Sequence, residues 1–224
     1  MEILSDIPVN LEPAQVLERI QVRKDKHHIG DIIRELLTIT HPLTHPKAVY
    51  EVGYIDHKNH ETVTINGVCF TSRLLRVNLD KVERVFPYVV TCGRELNEVT
   101  TPPGDFMRSY CLDAIKETAL RAAFKHLREH LTAKYHLGRL STMTPGSLNS
   151  WPIDQQPALF RLIGDVTNLI GVRLTSAYLM VPVKSVSGMF FPTEINFESC
   201  QLCPREGCPS RRAAYDADLT LKYR

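Results

Sequence analysis

The chain has 224 residues, of which 43% are hydrophobic and 23% charged, enough apolar material for the substantial core of an ordinary globular protein. Lys and Arg total 27 against 25 Asp and Glu, so the basic excess of a nucleic-acid binder is missing and no nucleic-acid partner is expected. The start Met1-Glu2-Ile3-Leu4-Ser5-Asp6 has neither the basic residues nor the apolar run of a secretory leader, and no stretch is long and apolar enough to span a bilayer. A cytoplasmic protein without a membrane partner is expected, and its 6 cysteines read as thiols rather than as a disulfide scaffold.

Residues 11–40 carry apolar positions at helical spacing, first Val16, Leu17 and Ile20, then Ile29, Ile32, Ile33, Leu36 and Leu37, which predicts two helices. His41-Pro42 and His45-Pro46 end that pattern, because proline disfavours helix in the residue before it, and residues 48–54 read as a strand. Asn66-Gly67 between residues 61–65 and 68–70 is the signature of a tight hairpin. Residues 87–92 read as a strand ending at Gly93, with a short helix opening at Arg94.

The strongest helical signal runs over about 105–135, where Ile115, Ala119, Ala122, Leu120, Phe124, Leu127 and Leu131 form a broad apolar face whose small members suit packing on a sheet. A loop at Pro145-Gly146, an amphipathic helix over 156–170 and strands near 172–174 and 178–181 follow. Strands and helices alternate without the regular repeat and phosphate loop of a nucleotide-binding fold. The expected class is therefore α+β, a mixed, mainly antiparallel twisted sheet flanked by helices.

Four elements occur in order: Thr144-Pro145-Gly146-Ser147, then Leu159-Phe160-Arg161-Leu162-Ile163, then Gly171-Val172-Arg173-Leu174-Thr175, then Pro182-Val183-Lys184-Ser185-Val186-Ser187-Gly188. This succession resembles the S-adenosylmethionine-binding reactivation domain of cobalamin-dependent methionine synthase, most strongly over 138–191 and more weakly through residues 91–96 and 112–114. The resemblance implies a reactivation-domain-like unit over 1–198 with a cysteine-containing appendage over 199–224. It implies a domain that binds S-adenosylmethionine in a shallow groove and presents the methyl group to cob(I)alamin, itself formed by one-electron reduction of cob(II)alamin. Cobalamin would then come from a partner, a corrinoid protein or cobalamin-dependent methyltransferase.

The residues expected to line the groove are Arg139, Pro145, Gly146, Ser147, Lys184, Ser185 and Ser187. Proline fixes the loop, glycine admits a ligand to the backbone, the serines offer hydroxyls and the lysine a cation. The chain departs from the family at four places: Thr142 stands where the family has an arginine, Ser147 where it has a tyrosine, His136 where it has an acidic residue, and the cysteine tail replaces the aromatic segment that follows the family's S-V-S-G. Arg139, six residues before Pro145, is the nearby arginine. Asp56-His57-Lys58-Asn59-His60 is not the corrinoid-binding pattern D-x-H-x-x-G.

Cys200, Cys203 and Cys208 sit in a turn-rich segment at a spacing that lets thiolates converge on zinc or an iron-sulfur cluster, with Cys69, Cys92, Cys111, a histidine or a partner group as fourth ligand. A redox thiol pair and plain packing cysteines are the alternatives. An iron-sulfur cluster would give the reactivation electron a route, since one-electron chemistry is work for a cofactor. His126-Leu127-Arg128-Glu129-His130 matches H-x-x-E-H, but the surrounding Arg121, Lys125 and Lys134 read as the solvated side of the long helix. Asp113 reads as an ordinary helix carboxylate, and no nucleophile-base pair points to a hydrolase or kinase.

The sequence thus points to an accessory protein for corrinoid reactivation. A metal-binding electron-transfer protein on the same scaffold and a non-catalytic module that recognises a corrinoid carrier stand as alternatives.

Overall fold

The computed structural model describes the chain except residues 6, 21–25, 195–196, 209–210, 222 and 224 and the side chain of residue 26. In chain order the described residues form β1 (Glu2–Leu4), α1 (Pro13–Arg19), α2 (Lys26–Thr40), β2 (Lys47–Tyr50), β3 (Gly53–Lys58), β4 (Thr62–Ile65), β5 (Val68–Thr71) and α3 (Arg73–Asn78). Then come β6 (Arg84–Thr91), α4 (Arg94–Glu98), α5 (Phe106–Lys134), β7 (Leu140–Met143), α6 (Gln156–Ile163), α7 (Val166–Ile170), β8 (Arg173–Leu174), β9 (Met180–Val181), β10 (Ser185–Pro192) and α8 (Ala217–Leu221). Among these, no helix is long and apolar enough to cross a membrane.

The class is α+β, and every strand pairing among the described residues is antiparallel. β6 is the centre of the sheet. One of its edges pairs with β2 and β3, the other with β10, and β10 pairs in turn with β7. The expected strand over 48–54 is one extended run in constant register, Tyr50 opposite Tyr88 and Gly53 opposite Val85. It divides into β2 and β3 because it faces Pro87, which accepts from the Glu51 N–H at 3.0 Å but has no N–H to return. The Asn66-Gly67 hairpin forms as expected, with φ of 44° and 77° as a type I′ turn demands.

Both faces of β6 are buried, and side-chain alternation assigns its residues to two cores. Phe86, Tyr88 and Val90, with Ala48, Tyr50 and Phe190, meet Ile33 and Leu36 of α2 and Ile115, Ala119 and Leu127 of α5. Val85 and Val89, with Val49, Met189 and Phe191, meet α3, α6 and α7 through Leu74, Leu75, Leu159 and Val166. The result is a sheet between two helical layers.

Helix α5 spans 29 residues, about 43 Å at 1.5 Å per residue, and its small buried residues Ala114, Ala119 and Ala123 bring it close to the sheet. Asp105 caps it by accepting the Arg108 N–H at 3.0 Å. The single helix expected over 156–170 is two, since Gly164 leaves the helix at φ 113° and Asp165 starts α7 as a new cap. The expected strands near 172–174 and 178–181 pair only with each other, as β8 and β9.

Beyond β10, Leu202 is buried in the second core, Leu219 and Tyr223 pack against that core, and the Tyr223 hydroxyl donates to Asn78 at 2.9 Å. Near the start of the chain, the Glu2 carboxylate accepts from Tyr50 at 2.5 Å, lies 3.2 Å from His130 and pairs with Lys134. His130 and Arg128 are therefore not on a fully solvated helix side, as Arg128 also reaches the Leu140 carbonyl at 2.5 Å; Lys125, Glu129 and Lys134 are the exposed members.

One close approach holds β6, β10 and β7 in place. A Cβ on Gly188 would stand 2.4 Å from the Met143 carbonyl oxygen and 2.7 Å from the Tyr88 hydroxyl oxygen. Gly188→Ala is expected to destabilise the fold by about 1–3 kcal/mol through this overpacking, read as a lower denaturation midpoint at unchanged slope.

Candidate functional site

The residues singled out by sequence flank β7, at Arg139 and at Pro145 to Ser147, and lie at the start of β10, from Lys184 to Ser187. Met143 lies opposite Met189, and Thr144 continues alongside Gly188, where its Cγ2 would be 2.9 Å from an added Cβ. The Pro145-Gly146 loop is thereby brought beside the Ser187-Gly188 stretch. Within the loop the Gly146 N–H donates to the Trp151 carbonyl at 2.8 Å, the Ser147 N–H donates to the Thr144 carbonyl at 3.3 Å, and the Thr144 and Ser147 hydroxyls bond each other.

Gly146 is required twice over. Its φ is 78°, and a Cβ there would meet Ile153 Cδ1 at 2.8 Å. Pro145 is buried while Gly146 and Ser147 are exposed, so the loop shows its backbone and one hydroxyl to solvent. Trp151 closes it from behind, wholly buried and edge-on to Phe70 at 6.3 Å, its indole N–H without a hydrogen-bond partner among the described residues.

Strand alternation separates the expected groove residues. Ser185 opposes Thr91 and Ser187 opposes Val89, which places both serines on the α6–α7 face. Ser185 Oγ donates to the Pro182 carbonyl at 2.7 Å and lies 3.0 Å from the Thr91 hydroxyl. Lys184 is on the other face, 3.0 Å from Asp113 and 3.7 Å from Glu117 of α5. The same wall therefore does not carry both Lys184 and the two serines, and Asp113 serves as an ion-pair partner.

Arg139 is also apart. It is exposed and its carbonyl accepts from the Thr193 N–H at 3.1 Å, so it lies at the opposite end of β7, about 20 Å along an extended chain from Pro145. Thr142, at the family's arginine position, is buried and its hydroxyl bonds Tyr88 at 2.9 Å. Burial pushes the Tyr88 phenol well above its ordinary range, so this pair stays neutral. Cavities of about 560 and 400 Å³ lie elsewhere on the molecule, and the Pro145-Gly146 loop lines neither.

The cysteine segment is organised by an arginine that its charge gave no reason to single out. Arg211 Nη1 donates to the carbonyls of Cys200 and Ala213, both at 3.2 Å, and Nη2 to those of Cys203, at 3.1 Å, and Arg205. Cys200 Sγ accepts from the Arg212 N–H at 3.4 Å, and the Arg212 guanidinium pairs with Glu198 at 3.1 Å.

Cys200, Cys203 and Cys208 are free and half-buried, but among the described residues no group of three or more His, Cys, Asp or Glu side chains converges as a metal site. Residues 209–210, which complete the cysteine segment, lie outside the described residues. Of the candidate fourth ligands, Cys92 and Cys111 are buried in the α2–α5 core, and burial pushes the Cys92 thiol up to about 11 and raises Cys111, so neither is poised as a thiolate.

No protein-family model matches the chain, and no curated protein matches it in sequence. Among solved structures the chain is similar to the crystal structure of the MetH reactivation domain bound to AdoHcy, with a TM-score of 0.59 and 14% identity, over 85% of this chain and 73% of that one. The likeness is one of fold.

The Arg211 contacts generate a test. Replacing it by methionine removes the guanidinium donor from four carbonyls of the tail. Chymotryptic cleavage within 199–224 of Arg211→Met is expected to accelerate roughly tenfold, while cleavage in the α2–α5 layer stays at the wild-type rate.

Proposed function

We propose that this protein supports the return of a partner's corrinoid cofactor to its reduced or methylated state, with the Pro145-Gly146 loop and the neighbouring Ser185 to Gly188 stretch of β10 holding S-adenosylmethionine. The observation that carries the reading is the juxtaposition of that loop with Gly188 in a chain whose fold matches a reactivation domain seen with AdoHcy. Residues 1–198 would supply the domain and 199–224 a tail packed on its second core.

On this reading the loop contributes backbone rather than charge. Pro145 fixes the approach, Gly146 lets the chain turn at φ 78° without pressing a side chain on Ile153, and the Ser147 hydroxyl orients polar atoms. Lys184 and Arg139 take no part, being ion-paired across the sheet and at the far end of β7. The chemistry would be a methyl transfer from the S-adenosylmethionine held by the loop to a partner's corrinoid reduced by an external reductant, with S-adenosylhomocysteine as the leaving product. The protein's share would be to hold and orient the methyl donor at the Pro145-Gly146 loop for the partner.

Calorimetric titration of the whole chain with S-adenosylmethionine and S-adenosylhomocysteine tests the reading. Saturable binding of both is expected, and Gly146→Val should weaken it about tenfold or more by driving a side chain into Ile153. Absence of saturation with either ligand would remove the groove from the proposal.

A further inference from the structure

A cavity of about 560 Å³ opens on the other side of the molecule, between the β3–β4 turn and α3, lined by Lys58, Asn59, His60, Arg73, Arg76, Val77 and Asp80. Its lining follows from the amphipathic spacing of α3. Leu74 and Leu75 are wholly buried in the second core, so Arg73, Arg76, Val77 and Asp80 turn to the opposite face, toward the turn that carries Lys58 to His60. The two walls are tied together. The Ser72 N–H donates to the Glu61 carbonyl at 2.9 Å, and the Ser72 hydroxyl accepts from the Leu75 N–H at 3.1 Å and donates to the Ser150 carbonyl at 2.7 Å.

The charges in this cavity do not balance. Lys58, Arg73 and Arg76 face one carboxylate, Asp80. Glu83 lies 4.0 Å from Lys58 but is almost fully solvated. The cations are held by neutral carbonyls as much as by that carboxylate: Lys58 Nζ donates to the Asp80 carbonyl at 2.9 Å, and Arg76 Nε to the Asn59 carbonyl at 2.8 Å. Arg76 Nη1 reaches the Asp80 carboxylate at 2.6 Å. Arg73 differs from both, since its Nε is shut off from solvent and has no hydrogen-bond partner among the described residues. A guanidinium that lines the cavity with no carboxylate or carbonyl partner among the described residues keeps its charge uncompensated, and an anion seated beside it would compensate that charge.

We propose that this cavity binds a phosphate monoester of a small molecule, the phosphoryl group accepting from Arg73, Arg76 and Lys58. A planar guanidinium edge matches two phosphoryl oxygens, and a lysine supplies a third, undirected charge. The volume exceeds that of phosphate alone and falls in the range of about 300–1,000 Å³ usual for small-molecule sites, which leaves room for an organic portion beside His60 and Val77. The site rests on nothing in the preceding functional reading, being built from other elements.

The experiment is calorimetric titration of the whole chain at about 0.15 M salt with AMP, inorganic phosphate and, as the phosphate-free control, adenosine. AMP is expected to bind saturably and more tightly than adenosine, with phosphate competing for that difference. Stronger binding of AMP than of phosphate assigns the site to the monoester, and equal binding assigns the same cations to the free anion. Arg73→Gln should lower AMP affinity roughly tenfold or more with the unfolding midpoint kept, and Arg73→Lys should recover part of the loss. If Arg73→Gln does not fold, Lys58→Gln gives the same readout from the other wall. Failure of AMP and phosphate alike to saturate, or equal binding by wild type and both glutamine variants, overturns the proposal.

Discussion

The structure depends on one strand being buried on both faces. From Val85 to Thr91 every residue of β6 is removed from solvent, and no single helical layer can cover two sides of a strand. The α2–α5 layer takes Phe86, Tyr88 and Val90, the α3–α6–α7 layer takes Val85 and Val89, and β2, β3 and β10 satisfy the backbone on the two edges. The aromatic stack of Tyr88, Phe124 and Phe190, with Tyr88 and Phe190 centred 4.5 Å apart, fixes how α5 and β10 sit relative to that strand. Glycine at 188 is the counterpart of tyrosine at 88, the absent side chain opposite making room for the large one.

The same alternation governs what can act together. Neighbours along β10 face opposite layers, so Lys184 answers the carboxylates of α5 while Ser185 and Ser187 turn toward α6 and α7. Residues adjacent in a motif are thus split between two surfaces, and residues distant in sequence are joined: Thr144 meets Gly188, and Arg73 faces Lys58 across a turn. Pro145 and Gly146 follow Thr144 beside Gly188 because a loop at a strand end is free of this period-two constraint.

The tail illustrates how far spacing alone can carry a chemical reading. Three cysteines within nine residues satisfy the arithmetic of a metal site. In the folded chain the segment winds about the Arg211 guanidinium, which gathers backbone carbonyls where a metal would gather thiolates. A planar group with five N–H donors can organise a loop that lacks regular hydrogen bonding, and nothing in a cysteine pattern distinguishes that arrangement from coordination.

The sequence by itself determined the elements whose signals are local. The long helix over 105–135 came from apolar spacing, the hairpin from Asn66-Gly67, the α+β class from the interspersed strands, and the reactivation-domain likeness from four short motifs in order. Tertiary structure decided the rest. β1, β7 and α3 are too short to give a periodic signal, and β10 is buried along most of its length, so its sequence has no alternation to read. Whether Arg139 or Lys184 reaches the Pro145-Gly146 loop depended on strand direction and face, and the burial of Arg73 Nε without a hydrogen-bond partner among the described residues comes from the docking of α3 against the β3–β4 turn. Both are matters of long-range packing, which local periodicity does not encode.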